Sequence, residues 1–199
     1  INIFMRFVAM LAHGQGDIFN QNNFSRSLGV SSPTVKKYLY YLEEAYIVRV
    51  LQSYHYNTKK RLVKSPKVYL RDSGILHHIS HINTPDNLSN SVLIGASWEG
   101  YVLEQILQLL DENISPYYYR THHGSECDLV LERGNQIIAV LEVKYSNSPL
   151  VSKGFSISID DLASKRNFII TPSSDDYHVR KDIQVCSLST FLENYISTL

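Results

Sequence analysis

Gln136-Ile137-Ile138-Ala139-Val140-Leu141-Glu142-Val143-Lys144-Tyr145 is an apolar run that ends on a charge pair. It has the make-up of a β-strand, in which successive side chains alternate faces, so Glu142 and Lys144 are expected on one face together with Ile138 and Val140. Burying a carboxylate and an ammonium costs several kcal/mol per ion unless partners or a metal compensate. The pair therefore marks a candidate site. A second strand, Glu126 to Glu132, precedes it across a Gly134-Asn135 turn and carries Asp128 ahead of the run Leu129-Val130-Leu131. Apolar runs of this kind suit central strands covered on both faces.

The face that Asp128 occupies depends on the turn, because a one-residue change of register moves every side chain to the other side. A two-residue loop of Gly134-Asn135 sets Asp128 opposite Leu141 and away from Glu142. A three-residue loop that includes Arg133, or a bulge, sets it opposite Val140 and beside Glu142. Gly followed by Asn suits either geometry, and the second register is the one expected.

Over 199 residues, 44% hydrophobic and 19% charged, the chain has the composition of a soluble globular protein with room for two modest domains. It contains no apolar run long enough to span a bilayer, and a cytoplasmic setting without membrane association is expected. It opens at Ile1 directly into helix-like sequence, as a fragment of a longer protein would. Cys127 and Cys186 lack metal-ligand spacing and read as small buried residues. The net charge is zero, but its distribution is uneven: residues 36–71 hold nine basic and two acidic residues, net +7, and residues 72–199 hold eight basic and sixteen acidic, net −8. Such a split suits a polyanion or acidic partner for the first part and metal or basic partners for the second, or mutual neutralisation of the two.

In the first part, Phe4, Phe7, Val8 and Leu11 recur at helical spacing over residues 3–13, and Gly14 and Gly16 end that helix. A second helix is expected over Asn22 to Leu28, closed by Gly29. A third opens with a serine cap and Pro33 in its first turn. Its inward stripe is read as Val35, Leu39, Leu42 and Tyr46, with Lys36, Lys37, Tyr40 and Tyr41 nearer the surface. Strands at 49–56 and 66–70 flank the basic tip Lys59-Lys60-Arg61. Three short helices and a basic two-stranded wing, with Leu28-Gly29-Val30-Ser31 before Thr34-Val35 and Tyr38-Leu39, resemble the winged helix-turn-helix family. That resemblance implies nucleic-acid contact, DNA more than RNA, through Ser32, Thr34, Lys36 and Lys37 at the recognition helix and Lys59, Lys60 and Arg61 at the wing.

The polar stretch 81–96, with Pro85 and several Asn and Ser residues, reads as a linker between a domain at 1–80 and another at 97–199. Ser97 to Leu110 is a strong helix on which Glu99, Leu103, Ile106 and Leu110 share the core-facing stripe, so Glu99 is a carboxylate in need of a role. Strands follow at 116–121, 126–132 and 136–145, a helix at 152–164, strands at 167–171 and 183–188, and a last helix at 189–196. This is the element order of the restriction-endonuclease-like α/β fold, and Glu99, Asp128 and Glu142-Val143-Lys144 resemble the motif of the PD-(D/E)XK nuclease superfamily. Cys127 departs from the pattern where a proline can precede the acidic residue. Taken with Arg71-Asp72-Ser73-Gly74, Trp98-Glu99, Tyr119-Arg120-Thr121 and Gly124 to Glu132, most of the chain resembles the C-terminal region of unknown function attached to bacterial and archaeal AAA-type P-loop ATPases. That resemblance implies an N-terminal ATPase domain of the same polypeptide as partner. No Gly-x-x-x-x-Gly-Lys-Ser/Thr loop occurs in this chain, so ATP enters only through that other domain.

The resemblance implies catalytic roles for Glu99, Asp128, Glu142 and Lys144, with Glu99, Asp128 and Glu142 as ligands of Mg²⁺ or Mn²⁺, ions that prefer oxygen donors. The expected chemistry is metal-dependent phosphodiester hydrolysis, with Lys144 positioning water or stabilising charge. The alternative is a non-catalytic module that recognises nucleic acid or protein and regulates the ATPase. Near the site, Glu126 reads as an edge-strand carboxylate and His122-His123 as a surface loop. Arg120 is either a phosphate contact or a structural salt bridge to one of the site carboxylates, and the aromatic run Tyr117-Tyr118-Tyr119 is ordinary for a strand.

Overall fold

A computed structural model describes residues 2–55 and 61–199, a mixed α/β structure. Its contacts divide the chain into two compact units. The first comprises residues 1–51 with 65–101, the second residues 52–64 with 102–199. This grouping differs from a division by sequence order, because the segment between the first two strands joins the second unit.

The first unit opens with α1 (Asn2–His13), α2 (Gln21–Leu28) and α3 (Ser32–Glu44). Phe7, Val8 and Leu11 of α1 are buried, as their spacing predicts, with Phe4 packed against the same core. The Asn20 side chain accepts the Asn23 N–H and starts α2, and Gly29 at φ 67° ends it. Ser31 caps α3 in the same manner, with Pro33 in the first turn. Val35 and Leu42 are buried in the core. Tyr46 is not on the inward stripe: α3 ends at Glu44, and Tyr46 lies beyond it at φ 59°, 76% exposed, with the Arg71 guanidinium over its ring at 5.4 Å. Tyr38 takes the inward place, its ring edge-on to Phe4 at 5.3 Å.

Strands β1 (Val48–Leu51) and β2 (Lys67–Leu70) form an antiparallel pair. β1 stops at Leu51, five residues short of the sequence expectation. Beyond it the backbone turns to other partners, with Gln52 C=O accepting from Tyr118 N–H at 3.0 Å and Tyr54 N–H donating to Tyr118 C=O at 2.7 Å. The stretch read as a linker carries two helical elements after α4 (Ser73–Ile79): α5 (Pro85–Ser89), capped by Thr84, and the first turn of α6 (Ile94–Leu107). α6 begins three residues before the expected start and ends three before the expected finish.

In the second unit, β3 (Ser115–Arg120), β4 (Glu126–Arg133), β5 (Gln136–Val143), β6 (Asn167–Thr171), β7 (Tyr177–Arg180) and β8 (Ile183–Ser187) build one mixed sheet in the order β3-β4-β5-β6-β8-β7. β3, β4 and β5 are antiparallel in sequence, β5, β6 and β8 run parallel, and β7 returns antiparallel at the edge. α7 (Lys153–Leu162) covers one face through Phe155, Ile159 and Leu162, which pack with Val130, Val140 and Ile169. α8 (Leu188–Thr190) runs on into a π-helical turn at 191–195, and Phe191 and Tyr195 pack on Phe168 of β6. Parallel β5 and β6 require the crossover that α7 supplies.

Candidate functional site

The hairpin between β4 and β5 sets the site. Arg133 pairs with Gln136, so the loop is the two residues Gly134 and Asn135, both at positive φ. Between Glu132 opposite Ile137 and Leu131 opposite Ala139, β5 carries one extra residue, Ile138. This bulge shifts the register, so Val140 faces Val130 and Leu141 faces Leu129. Asp128 therefore does not face Val140, as the expected register required. The bulge also removes Ile138 from the Val140 face, where Ile137 packs instead. β4 has its own irregularity: Asp128 and Leu129 together oppose Tyr118 alone, between Tyr117 opposite Val130 and Tyr119 opposite Cys127. Bulges bend the strand and re-aim side chains, and this one falls on the acidic residue singled out from the sequence.

Asp128 accepts the Val143 backbone N–H through Oδ2 at 2.9 Å, which ties its carboxylate to the end of β5. One residue earlier on β5 stands Glu142, only 5% exposed. Its Oε1 receives the Lys144 ammonium at 2.6 Å and the Ser152 hydroxyl at 3.0 Å. The same hydroxyl lies 3.3 Å from Oε2 and accepts the Phe155 N–H at 3.0 Å, capping α7. Burial pushes the Glu142 carboxyl above the ordinary carboxylate range; the Lys144 and Ser152 hydrogen bonds oppose this, and the neighbouring Asp128 charge adds to it. Lys144 itself reaches solvent, and its backbone N–H continues the β5–β6 ladder to Ile170 C=O at 2.9 Å.

The turn before Asp128 is closed by Thr121, whose backbone N–H donates to Ser125 C=O at 2.9 Å and whose Oγ1 accepts the Ser125 N–H at 3.1 Å. Gly154 in the first turn of α7 sits against it. A Cβ there would meet Gly124 O at 3.3 Å and Glu126 N at 3.5 Å. Arg120 and Glu126, cross-strand neighbours, form a salt bridge at 3.1 Å, a structural pairing made with the edge-strand carboxylate rather than with one of the expected site carboxylates. His122 and His123 are exposed. Arg61 is also exposed, and its C=O accepts the His122 N–H at 3.1 Å, so the described end of the basic segment runs beside this turn. Lys59 and Lys60 lie outside the described residues.

Glu99 belongs to the first unit. Its Oε1 accepts the Tyr69 hydroxyl at 2.6 Å and the Lys67 ammonium at 3.2 Å, with Lys67 4% exposed on β2. The role demanded of a core-facing carboxylate on α6 is thus met by a buried cation thirty-two residues earlier. On α3, Lys36 and Lys37 are exposed. Ser32 and Thr34 are half-buried, the first hydrogen-bonded to Asn22 at 3.2 Å and the second to Ser31 at 2.9 Å.

Among the described residues no three His, Cys, Asp or Glu side chains gather so as to hold a metal ion. Asp128 and Glu142 supply a pair of adjacent carboxylates, and Mg²⁺ is commonly held by one or two carboxylates and waters, so this pair fits such an ion. The tripartite set with Glu99 is not assembled within either unit. Ser152 escapes a reading of the sequence as part of the site because its local signal is that of a helix cap.

Two domain families of unknown function match this chain. Residues 1–86 match the Domain of unknown function DUF8612, and residues 94–191 match the Domain of unknown function DUF4143, a domain typically found with AAA ATPases. The mycobacterial proteins Rv2008c of Mycobacterium tuberculosis and Mb2031c of Mycobacterium bovis, both described as uncharacterized, are each 38% identical to it over 163 residues, 82% of this chain and 36% of theirs. The chain thus spans about a third of the length of these relatives. A solved assembly of Thermococcus gammatolerans McrB AAA+ hexamers with bound McrC holds a chain with TM-score 0.36 and 10% identity, covering 92% of this chain and 70% of that one, a likeness too slight to carry an argument. No helix of the described residues is long and apolar enough to cross a membrane.

Proposed function

We propose that this chain is the nuclease-like region of an AAA-type ATPase, a winged helix-turn-helix followed by a restriction-endonuclease-like domain whose Asp128, Glu142 and Lys144 act on a phosphodiester. The observation that carries the reading is the convergence of these three residues at the end of β5, with Asp128 bonded to Val143 N–H and Glu142 held by Lys144. Asp128 and Glu142 would hold Mg²⁺ or Mn²⁺. Such an ion, when bound, polarises a phosphoryl oxygen and lowers the pKa of coordinated water. Lys144 supplies a solvent-facing ammonium at the same place, suited to a negatively charged phosphate. Exposed Lys36 and Lys37 on α3 would meet the DNA backbone, with Ser32 and Thr34 at the helix N-terminus. The ATPase partner is supported by the match of residues 94–191 and by the greater length of the mycobacterial relatives. Incubation of the chain with Mn²⁺ and a panel of DNA and RNA substrates tests the chemistry. Cleavage abolished by Lys144→Ala and by Glu142→Gln supports it, and cleavage that survives both substitutions contradicts it.

A second reading, a non-catalytic recognition module that regulates the ATPase, is favoured by one observation. Glu99 is engaged by Lys67 and Tyr69, an ammonium and a hydroxyl that already take up this carboxylate. Mn²⁺ binding that depends on Asp128 and Glu142 separates the two readings.

A further inference from the structure

We infer that Ser152 is a positioning residue, whose hydroxyl holds the Glu142 carboxylate in place and locks it to the N-terminus of α7. The inference rests on the carboxylate site proposed above. Three contacts support it. The Ser152 hydroxyl donates to Glu142 Oε1 at 3.0 Å, and its oxygen accepts the Phe155 N–H at 3.0 Å, so one side chain joins the cap of α7 to the site. Glu142 Oε1 also receives Lys144, eight residues before Ser152 in sequence, so the carboxylate clips together both ends of the segment that leads from β5 into α7. Two residues into α7, Gly154 packs against Gly124 and Glu126, the backbone that leads to Asp128. The N-terminus of α7 therefore bears on the strand of one site carboxylate and directly on the other.

A hydroxyl hydrogen has one direction in which to donate. Here the lone pairs serve the helix and the hydrogen serves Glu142, a division of labour that an N-cap does not require. Partners that orient a metal-binding side chain in this way typically change metal affinity 10- to 100-fold when removed. The cap and the positioning role can be separated, since glycine is tolerated at an N-cap nearly as well as serine and has no hydroxyl, whereas threonine keeps both functions.

The test uses the whole chain as wild type, Ser152→Gly and Ser152→Thr, with two measurements. Side-chain NMR couplings of Glu142, recorded without metal, report whether it keeps one rotamer; calorimetry with Mn²⁺ alone reports affinity. The expected result is a single Glu142 rotamer in wild type and Ser152→Thr, rotamer averaging in Ser152→Gly, and Mn²⁺ affinity lowered roughly 10-fold or more in Ser152→Gly and restored in Ser152→Thr. A Ser152→Gly protein that keeps one rotamer overturns the inference, as does one that binds Mn²⁺ as tightly as wild type. If wild type binds no Mn²⁺, the metal reading fails while the rotamer measurement still decides the role of Ser152.

Discussion

Glu142 stands almost entirely out of water with an ammonium and a hydroxyl on one oxygen, and its raised pKa records a net cost of burial that these partners reduce but do not cancel. The consequence for stability has a definite sign. A carboxyl whose folded pKa lies above its unfolded value binds its proton more tightly when folded, so its stabilising contribution is full below the ordinary carboxylate pKa and is lost as pH rises through the folded value. Removing Lys144 takes away a lowering influence and enlarges that loss. Lys144→Ala is therefore expected to cost about 1–2 kcal/mol at pH 7, less than the cost of breaking a fully buried pair because Lys144 is partly exposed, and clearly less at pH 4. Urea melts at the two pH values without divalent metal check this; an equal cost at both would contradict it. Glu142, Lys144 and Asp128 are legible as single residues because charge on an apolar strand is conspicuous. The partners of Glu99 are not, since Lys67 and Tyr69 lie thirty or more residues away and nothing local ties them to it.

A buried stripe, or a closing glycine cap, places an element in the sequence, and a fully exposed strand has neither. α1, α2, β4, β5 and β6 declare themselves through apolar spacing or caps, whereas β7 is exposed along its whole length and is held by backbone pairing to β8. A bulge in the β4–β5 hairpin is one geometry the sequence leaves open, but neither its position nor the bulge between β3 and β4 is legible: an extra residue alters register without altering composition, and only the pairings of Leu131 with Ala139 and Glu132 with Ile137, and of Tyr117 with Val130 and Tyr119 with Cys127, show where each sits. Two predictions belong to this scale. Gly16 has φ +76°, and a Cβ there would come 2.9 Å from Tyr69 Cε1, so Gly16→Ala combines backbone strain with overpacking against β2. It should cost about 1–3 kcal/mol in denaturant melts, and a neutral substitution would show that the loop relaxes freely. In β8, burial pushes the Cys186 thiol up to about 12. Because the thiolate is the reactive form, Cys186 should resist Ellman's reagent at pH 8 until the protein unfolds, whereas rapid labelling of the native chain would contradict its burial.

Across the molecule, basic charge is concentrated in residues 36–71, at net +7, and two compact units share the chain. The sequence places a boundary near residue 80. The contacts instead give residues 65–101 to the first unit and lift 52–64 into the second, because the segment after β1 hydrogen-bonds to β3, an attachment that no local pattern announces. If α3 meets duplex DNA as proposed, Lys36→Ala/Lys37→Ala should weaken binding across sequences and reduce the salt slope by about one for each phosphate that is no longer neutralised. Fluorescence anisotropy over a series of salt concentrations measures this, and an unchanged slope would remove α3 from the interface. The central claim concerns the carboxylates at the end of β5, and calorimetric titration of Mn²⁺ at low salt into wild type and Asp128→Asn/Glu142→Gln tests it most directly. Binding by the wild type that disappears in the double variant is the predicted result; binding that is equal in both, or absent from both, would contradict a metal site built on Asp128 and Glu142.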